Sequence, residues 1–168
     1  SQAIIRKGRG CWLSKCDQIA AYKAIPIRLN QLRLQGFRWL SKLFIEAFLV
    51  FGAASSVPNY DRFHRSIIYI TLAIANPEPD SLFHCLDDAI FVSSTRQQNK
   101  ALVDTYRKVG ELVNMSLASE EDLDKAFSQK QVGKILGITF NTLELTWSLD
   151  EDKVQKFSFT LQSVLRSS

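Results

Sequence analysis

The chain has 168 residues, 46% of them apolar and 23% charged, with a formal net charge of +4. This composition excludes disordered, collagen-like and coiled-coil classes, and the length suits one domain, or two small ones, needing no disulfide or metal staple. The charge is segregated: residues 1–65 hold 11 basic and 3 acidic side chains, residues 66–168 hold 10 and 14, so the first half suits a polyanion and the second does not.

In chain order, Ser1 to Lys7 lacks the apolar core and cleavage site of a secretion signal. Residues 11–17 (CWLSKCD) read as a short strand ending on an acid. Ala20 to Ala24 reads as a helical turn stopped by Pro26. Leu32 to Phe51 is expected to be extended, with a hairpin turn at Ser41-Lys42. The longest apolar stretch of the chain, Leu43 to Ala54, contains Glu46 and is too short to span a bilayer, so no membrane partner is expected. Ser55 or Ser56 then caps a helix that tolerates Pro58 in its first turn. The expected buried stripe of that helix is Val57, Tyr60, Phe63, Ile67, Ile70 and Ile74.

Asn76-Pro77-Glu78-Pro79-Asp80 breaks the helix. Leu82 to Val92 is apolar on both sides of Asp87-Asp88 and reads as a tight hairpin with both acids at its turn. Leu102, Tyr106, Val109 and Val113 mark a second helix. Residues 118–134 are polar and acidic and are expected to form an exposed loop. Ile135 to Phe140 reads as a strand, Leu143 to Leu149 as its hairpin partner, and 150–168 as a helix with Val154, Phe157, Leu161 and Leu165 on one face. This order predicts an α+β fold, an antiparallel sheet with two helices on one face.

Cys11, Cys16 and Cys85 form no CxxC pair, and with only His64 and His84 beside them no zinc ligand set is visible. Their use fits a reducing, intracellular compartment, nucleus or cytoplasm, with each thiol a small buried hydrophobe. The acids carry more information. Asp87-Asp88 lies in an apolar strand context, where a charged pair costs several kcal/mol unless something neutralises it. The pair either sits at an exposed turn or meets a divalent cation. Asp17 also ends an apolar strand. A sheet that places the strand 11–17 beside the hairpin 83–92 brings it near Asp87, and carboxylates gathered there could hold two Mg²⁺ ions for in-line phosphoryl transfer.

With these residues in place, the chain resembles a known family. Cys11 to Asp17 followed by Ala21-Tyr22-Lys23-Ala24-Ile25-Pro26 resembles the first catalytic motif of reverse transcriptases. Gly36-Phe37-Arg38-Trp39 and Leu49 to Ser56 resemble the next two blocks, Leu86-Asp87-Asp88 the two-aspartate box, and Leu136-Gly137-Ile138 with Leu149 to Val154 the segment after it. The resemblance runs from about residue 8 to 156 and is nearest to retrotransposon enzymes of the tyrosine-recombinase or long-terminal-repeat type.

It implies a polymerase palm with a ferredoxin-like sheet. The whole of 1–168 would be one palm domain with partial fingers, without thumb or RNase H. The implied activity is RNA-directed DNA polymerase, using an RNA template, a DNA primer and dNTP, with Mg²⁺ or Mn²⁺ as cofactor. By resemblance Asp17, Asp87 and Asp88 are the catalytic, metal-binding carboxylates and the Gln18 carbonyl a further ligand. Tyr22 would gate the sugar, and Phe51 and Gly52 would lie against the nucleotide. Val50 stands where the family usually has Pro, and acids at 120–122 occupy the place of a leaving-group Lys, for which Lys125 could substitute. Arg28, Arg33, Arg38, Lys42, Arg62 and Arg65 could contact backbone phosphates. The alternative is a non-catalytic, degenerate or reused domain of this kind that binds nucleic acid or protein.

Overall fold

A computed structural model describes residues 2–122 and 125–167. Its centre is a four-stranded antiparallel sheet, in the order β4 (Leu82–Cys85), β5 (Asp88–Ser93), β1 (Trp12–Asp17), β6 (Phe127–Lys130). β1 lies between two partners with both faces covered, and Leu13 through Cys16 are buried without a break. The period-2 alternation of a strand sends Ser14 and Cys16 to one face and Leu13, Lys15 and Asp17 to the other.

The first face carries α2 (Ser56–Ala75) and α3 (Arg96–Leu112), as the predicted α+β architecture requires. Cys16, Ala89 and Phe91 pack there against Ile67, Leu102 and Tyr106. Each large apolar side chain so buried contributes about 1.5–3 kcal/mol. Ser14 is tolerated in this core because its hydroxyl bonds Asn99 of α3 and accepts from the Gln129 amide at 2.8 Å, while Asn99 Nδ2 donates to the Trp12 carbonyl at 3.1 Å. The second face is covered by α1 (Gln2–Lys7) and by a three-stranded sheet of β7 (Val132–Ile135), β8 (Ile138–Asn141) and β9 (Thr146–Leu149). Leu13, Val92, Phe127 and Ile135 form the core between them. A two-stranded ribbon, β2 (Gly36–Trp39) and β3 (Lys42–Ile45), and a terminal helix α4 (Glu151–Ser167) complete the chain. Among the described residues no helix is long and apolar enough to cross a membrane.

Several expectations change. The stretch expected to be extended from Leu32 opens in a 3-10 segment, Leu29–Gln35, and its hairpin turns at Leu40-Ser41, one residue early. Past Ile45 only an isolated bridge, Pro26 to Phe48, remains. Ser55 flanks α2 but makes no side-chain cap bond. The buried stripe of α2 runs through Tyr60, His64, Ile67, Ile68 and Thr71, leaving Val57, Ile70 and Ile74 exposed. Thr71 is accepted inside because its hydroxyl donates to the Ile67 carbonyl at 2.8 Å. Val113 lies just beyond α3 and is exposed.

The expected loop 118–134, apart from positions 123 and 124, which lie outside the described residues, contains β6 on the edge of the central sheet and the start of β7. Its buried anchors are Ala118, Ala126 and Phe127. Ile135 to Phe140 is not one strand. It is broken by a turn at Leu136-Gly137, where both residues have positive φ, 51° and 77°.

Candidate functional site

β1 ends at Asp17 and β5 begins at Asp88, and the register places these two residues directly opposite one another. Such pairs have Cβ atoms about 5 Å apart, and like charges there are destabilising. Asp87 occupies the turn before β5, and its carbonyl accepts the Gln18 amide at 3.1 Å. Three carboxylates from two distant segments therefore gather at one end of the central sheet. Burial first, and then the charges of Asp87 and Asp88, hold the Asp17 carboxyl above the usual carboxylate range; Lys15 and Lys125 pull it back. Burial also raises Asp88, although Lys15 Nζ lies 3.0 Å from its Oδ1.

Both members of the Lys15–Asp88 pair are largely buried. Lys15 was not singled out in the sequence, yet a lysine two residues before Asp17 in a strand must share its face. Asp17, Asp87 and Asp88 supply only hard oxygen donors, the chemistry that suits Mg²⁺ or Mn²⁺. Among the described residues no three carboxylate, imidazole or thiolate groups stand close enough to share one ion, and one oxygen of Asp88 is engaged by Lys15.

The turn that presents Asp87 is unusual. Leu86 has φ of 53°, in the left-handed region where a two-residue hairpin prefers Asn, Asp or Gly. A branched side chain there costs about 1–3 kcal/mol and needs support from its surroundings. Support comes from His64, which is fully buried. His64 Nδ1 bonds the Leu86 carbonyl, which can only accept, so Nδ1 carries the proton. Nε2 then accepts from the Tyr106 hydroxyl at 2.8 Å. Burial pushes the His64 pKa down and keeps this ring neutral. Neither His64 nor Tyr106 was expected at the site; the available signal was a lone histidine four residues after Tyr60, on the same helical stripe.

Beside the turn, Gln18, Tyr22, Phe51, Leu86 and Asp87 line a cleft of about 130 Å³. The Tyr22 ring meets Phe51 edge-on at 4.7 Å and Tyr60 at 5.5 Å. The Tyr60 hydroxyl donates to Gln18 Oε1, and Gln18 Nε2 is buried without a partner among the described residues. Phe51 is 89% exposed, and Gly52, at φ of 86°, turns the chain beside it without lining the cleft. The space is below the roughly 300–1,000 Å³ of a complete small-molecule pocket, so it can take one part of a ligand. Of the cysteines, Cys11 and Cys16 are buried and Cys85, opposite Asp88, is exposed. Arg28, Arg33, Arg38, Lys42, Arg62 and Arg65 are all exposed, and Arg65 pairs with Asp61 at 2.8 Å.

No family model matches the chain, and no curated protein matches it in sequence. Solved structures do. A foamy viral protease-reverse transcriptase in complex with double-stranded DNA superposes with a TM-score of 0.73 at 17% identity, over 88% of this chain and 24% of that one. The foamy viral enzyme in complex with an RNA/DNA hybrid gives a TM-score of 0.73 at 16% identity, over 98% and 22%. A further complex with double-stranded DNA gives 0.70 at 16%, over 92% and 31%. The chain thus has a reverse-transcriptase-like fold and spans between a fifth and a third of the length of those proteins.

Proposed function

We propose that this chain is the palm module of an RNA-directed DNA polymerase, joining a dNTP to a primer 3′-hydroxyl on an RNA template. One observation carries the reading: the antiparallel register that sets Asp17 opposite Asp88, next to Asp87, which itself lines the cleft walled by Tyr22 and Phe51. Asp17 and Asp87, with the Gln18 carbonyl, would hold Mg²⁺, and Asp88 would join them on leaving Lys15. Such ions, if bound there, would lower the pKa of an attacking hydroxyl and offset the charge on a leaving pyrophosphate. The chain's own residues bind and orient. Tyr22, backed by Tyr60, offers a ring edge against the sugar and so disfavours a 2′-hydroxyl. Phe51 offers an exposed ring to the base, and the His64–Leu86 bond fixes the turn that aims Asp87. The foamy viral proteins hold double-stranded DNA and an RNA/DNA hybrid, which supports extending the same partner class to this chain.

The test is primer extension on a primed RNA template with Mg²⁺ or Mn²⁺. Incorporation by wild type and its loss in Asp87→Asn supports the reading; equal signal in both, or none in either, removes it. The buried Lys15–Asp88 pair favours a second reading, a palm whose carboxylate is neutralised internally and which binds nucleic acid without catalysis. Mn²⁺ titration followed by electron paramagnetic resonance separates the two, because only the polymerase reading requires metal binding that disappears in Asp17→Asn.

A further inference from the structure

The β2–β3 ribbon stands apart from both sheets, and all eight of its strand residues are exposed. Its Leu40-Ser41 turn has φ of 44° and 63°, the two left-handed residues that match a tight right-twisted hairpin. The register separates its faces. Phe37 lies opposite Phe44 and Trp39 opposite Lys42 on one face; Arg38 opposite Leu43 and Gly36 opposite Ile45 occupy the other. The Phe37 and Phe44 rings stack at 5.5 Å and 18°, and Trp39 follows about 6.6 Å further along its strand. One face therefore carries three aromatic rings, 54%, 41% and 65% exposed for Phe37, Phe44 and Trp39, with an ammonium beside them.

An exposed apolar face of this kind marks an interaction site, and the charge around it decides the partner. Between Asp17 and Glu46 there are five basic residues and no acidic one. Lys23 pairs with Glu46, whereas among the described residues Arg28, Arg33, Arg38 and Lys42 make no ion pair. Positive charge without counter-charge, interleaved with aromatic rings, is the composition of a surface that stacks bases and tracks phosphates. A duplex hides its base faces, so the fit is to an unpaired strand.

We infer that the Phe37–Trp39–Phe44 face of the ribbon is a stacking platform for a single-stranded nucleic acid, its phosphates met by Lys42 on that same face. The inference rests on the proposed function only for the class of polymer. It assigns to the ribbon a role separate from the carboxylate site, ahead of or behind the paired region.

The experiment is fluorescence anisotropy of the 168-residue chain with labelled oligouridine, oligothymidine and a blunt RNA/DNA duplex. Trp39→Ala and Phe37→Ala are each expected to weaken single-strand binding about tenfold and to change duplex binding less than twofold. Trp39→Phe should restore most of the loss. Lys42→Glu, on the same face, should weaken single-strand binding and flatten its salt dependence, and it serves as the second variant should an aromatic substitution disturb folding. Oligouridine and oligothymidine distinguish an RNA from a DNA strand as the source of the bases. Unchanged affinity in Trp39→Ala, absence of single-strand binding in wild type, or a wild-type dimer that Trp39→Ala dissolves while oligouridine binding persists would each overturn the inference, the last by making the face a protein interface. Single-strand binding through Trp39 without primer extension would remove catalysis and leave the platform standing.

Discussion

Asp17 is ionised against its surroundings, because burial and two neighbouring carboxylates all favour its protonated form. A folded-state pKa raised above the unfolded value adds stability at low pH that is lost as the pH rises through it, so at neutral pH the ionised group costs stability. Asp17→Asn is therefore expected to raise the melting temperature in chelator by about 2 °C, while removing primer extension. His64 works with the opposite sign. Its pKa is lowered by burial, so the unfolded chain binds more protons around and below pH 6.5. Stability is full above that value and declines as pH falls toward the folded-state pKa. Urea melts at pH 7.5 and 5.5 should differ, and His64→Asn, which keeps a donor for the Leu86 carbonyl but no basic nitrogen, should narrow the difference. The three aspartates were legible in the sequence because acids stand out in apolar strands. Lys15, His64 and Tyr106 were not, because a polar residue satisfied in a core leaves no periodic trace and its partners lie 22 to 73 positions away.

At the scale of elements, the junction between β6 and β7 depends on one missing side chain. A Cβ on Gly133 would lie 2.4 Å from the Phe127 ring, and an aromatic ring buried between two sheets has little room to retreat. Gly133→Ala is expected to cost about 1–3 kcal/mol by chemical denaturation, whereas the closest approach of a Cβ on Gly110 is to the terminal methyl of the flexible Met115 side chain. The N-terminus of α3 carries a reciprocal Thr95–Gln98 capping box, and Thr95→Ala should cost about 1 kcal/mol. The Thr95–Gln98 box is equally local but was not singled out in the sequence; the breaker at 76–80 reads directly from it, because prolines act locally. β6 escaped notice for the opposite reason. Its burial rests on Phe127 and on pairing to β1, more than a hundred residues earlier, and an acidic approach masks a short edge strand.

For the whole molecule, the segregated charge survives folding as an exposed set of cations in the first half. If Arg28, Arg33, Arg38 and Lys42 each displace one counterion from a single strand, log Kd against log salt should have a slope of about 3 in magnitude, measured between 50 and 200 mM salt. The layer order was legible as a whole: two apolar-periodic helices separated by an apolar hairpin leave few arrangements other than an antiparallel sheet with both helices on one side. What covers the second face was not. The β7–β9 sheet depends on a turn at Leu136-Gly137 inside a run that reads as continuous strand.

The contrast among the three thiols makes the hairpin chemically addressable. Burial pushes Cys16 up to about 11 and raises Cys11 as well, so both stay protonated and shielded from electrophiles at pH 7.5. Cys85 is exposed at the strand end opposite Asp88. A maleimide dye would therefore attach to the native sequence at one place, within two residues of Asp87. A fluorophore there reports on ligand arrival at the aspartates without a single engineered residue.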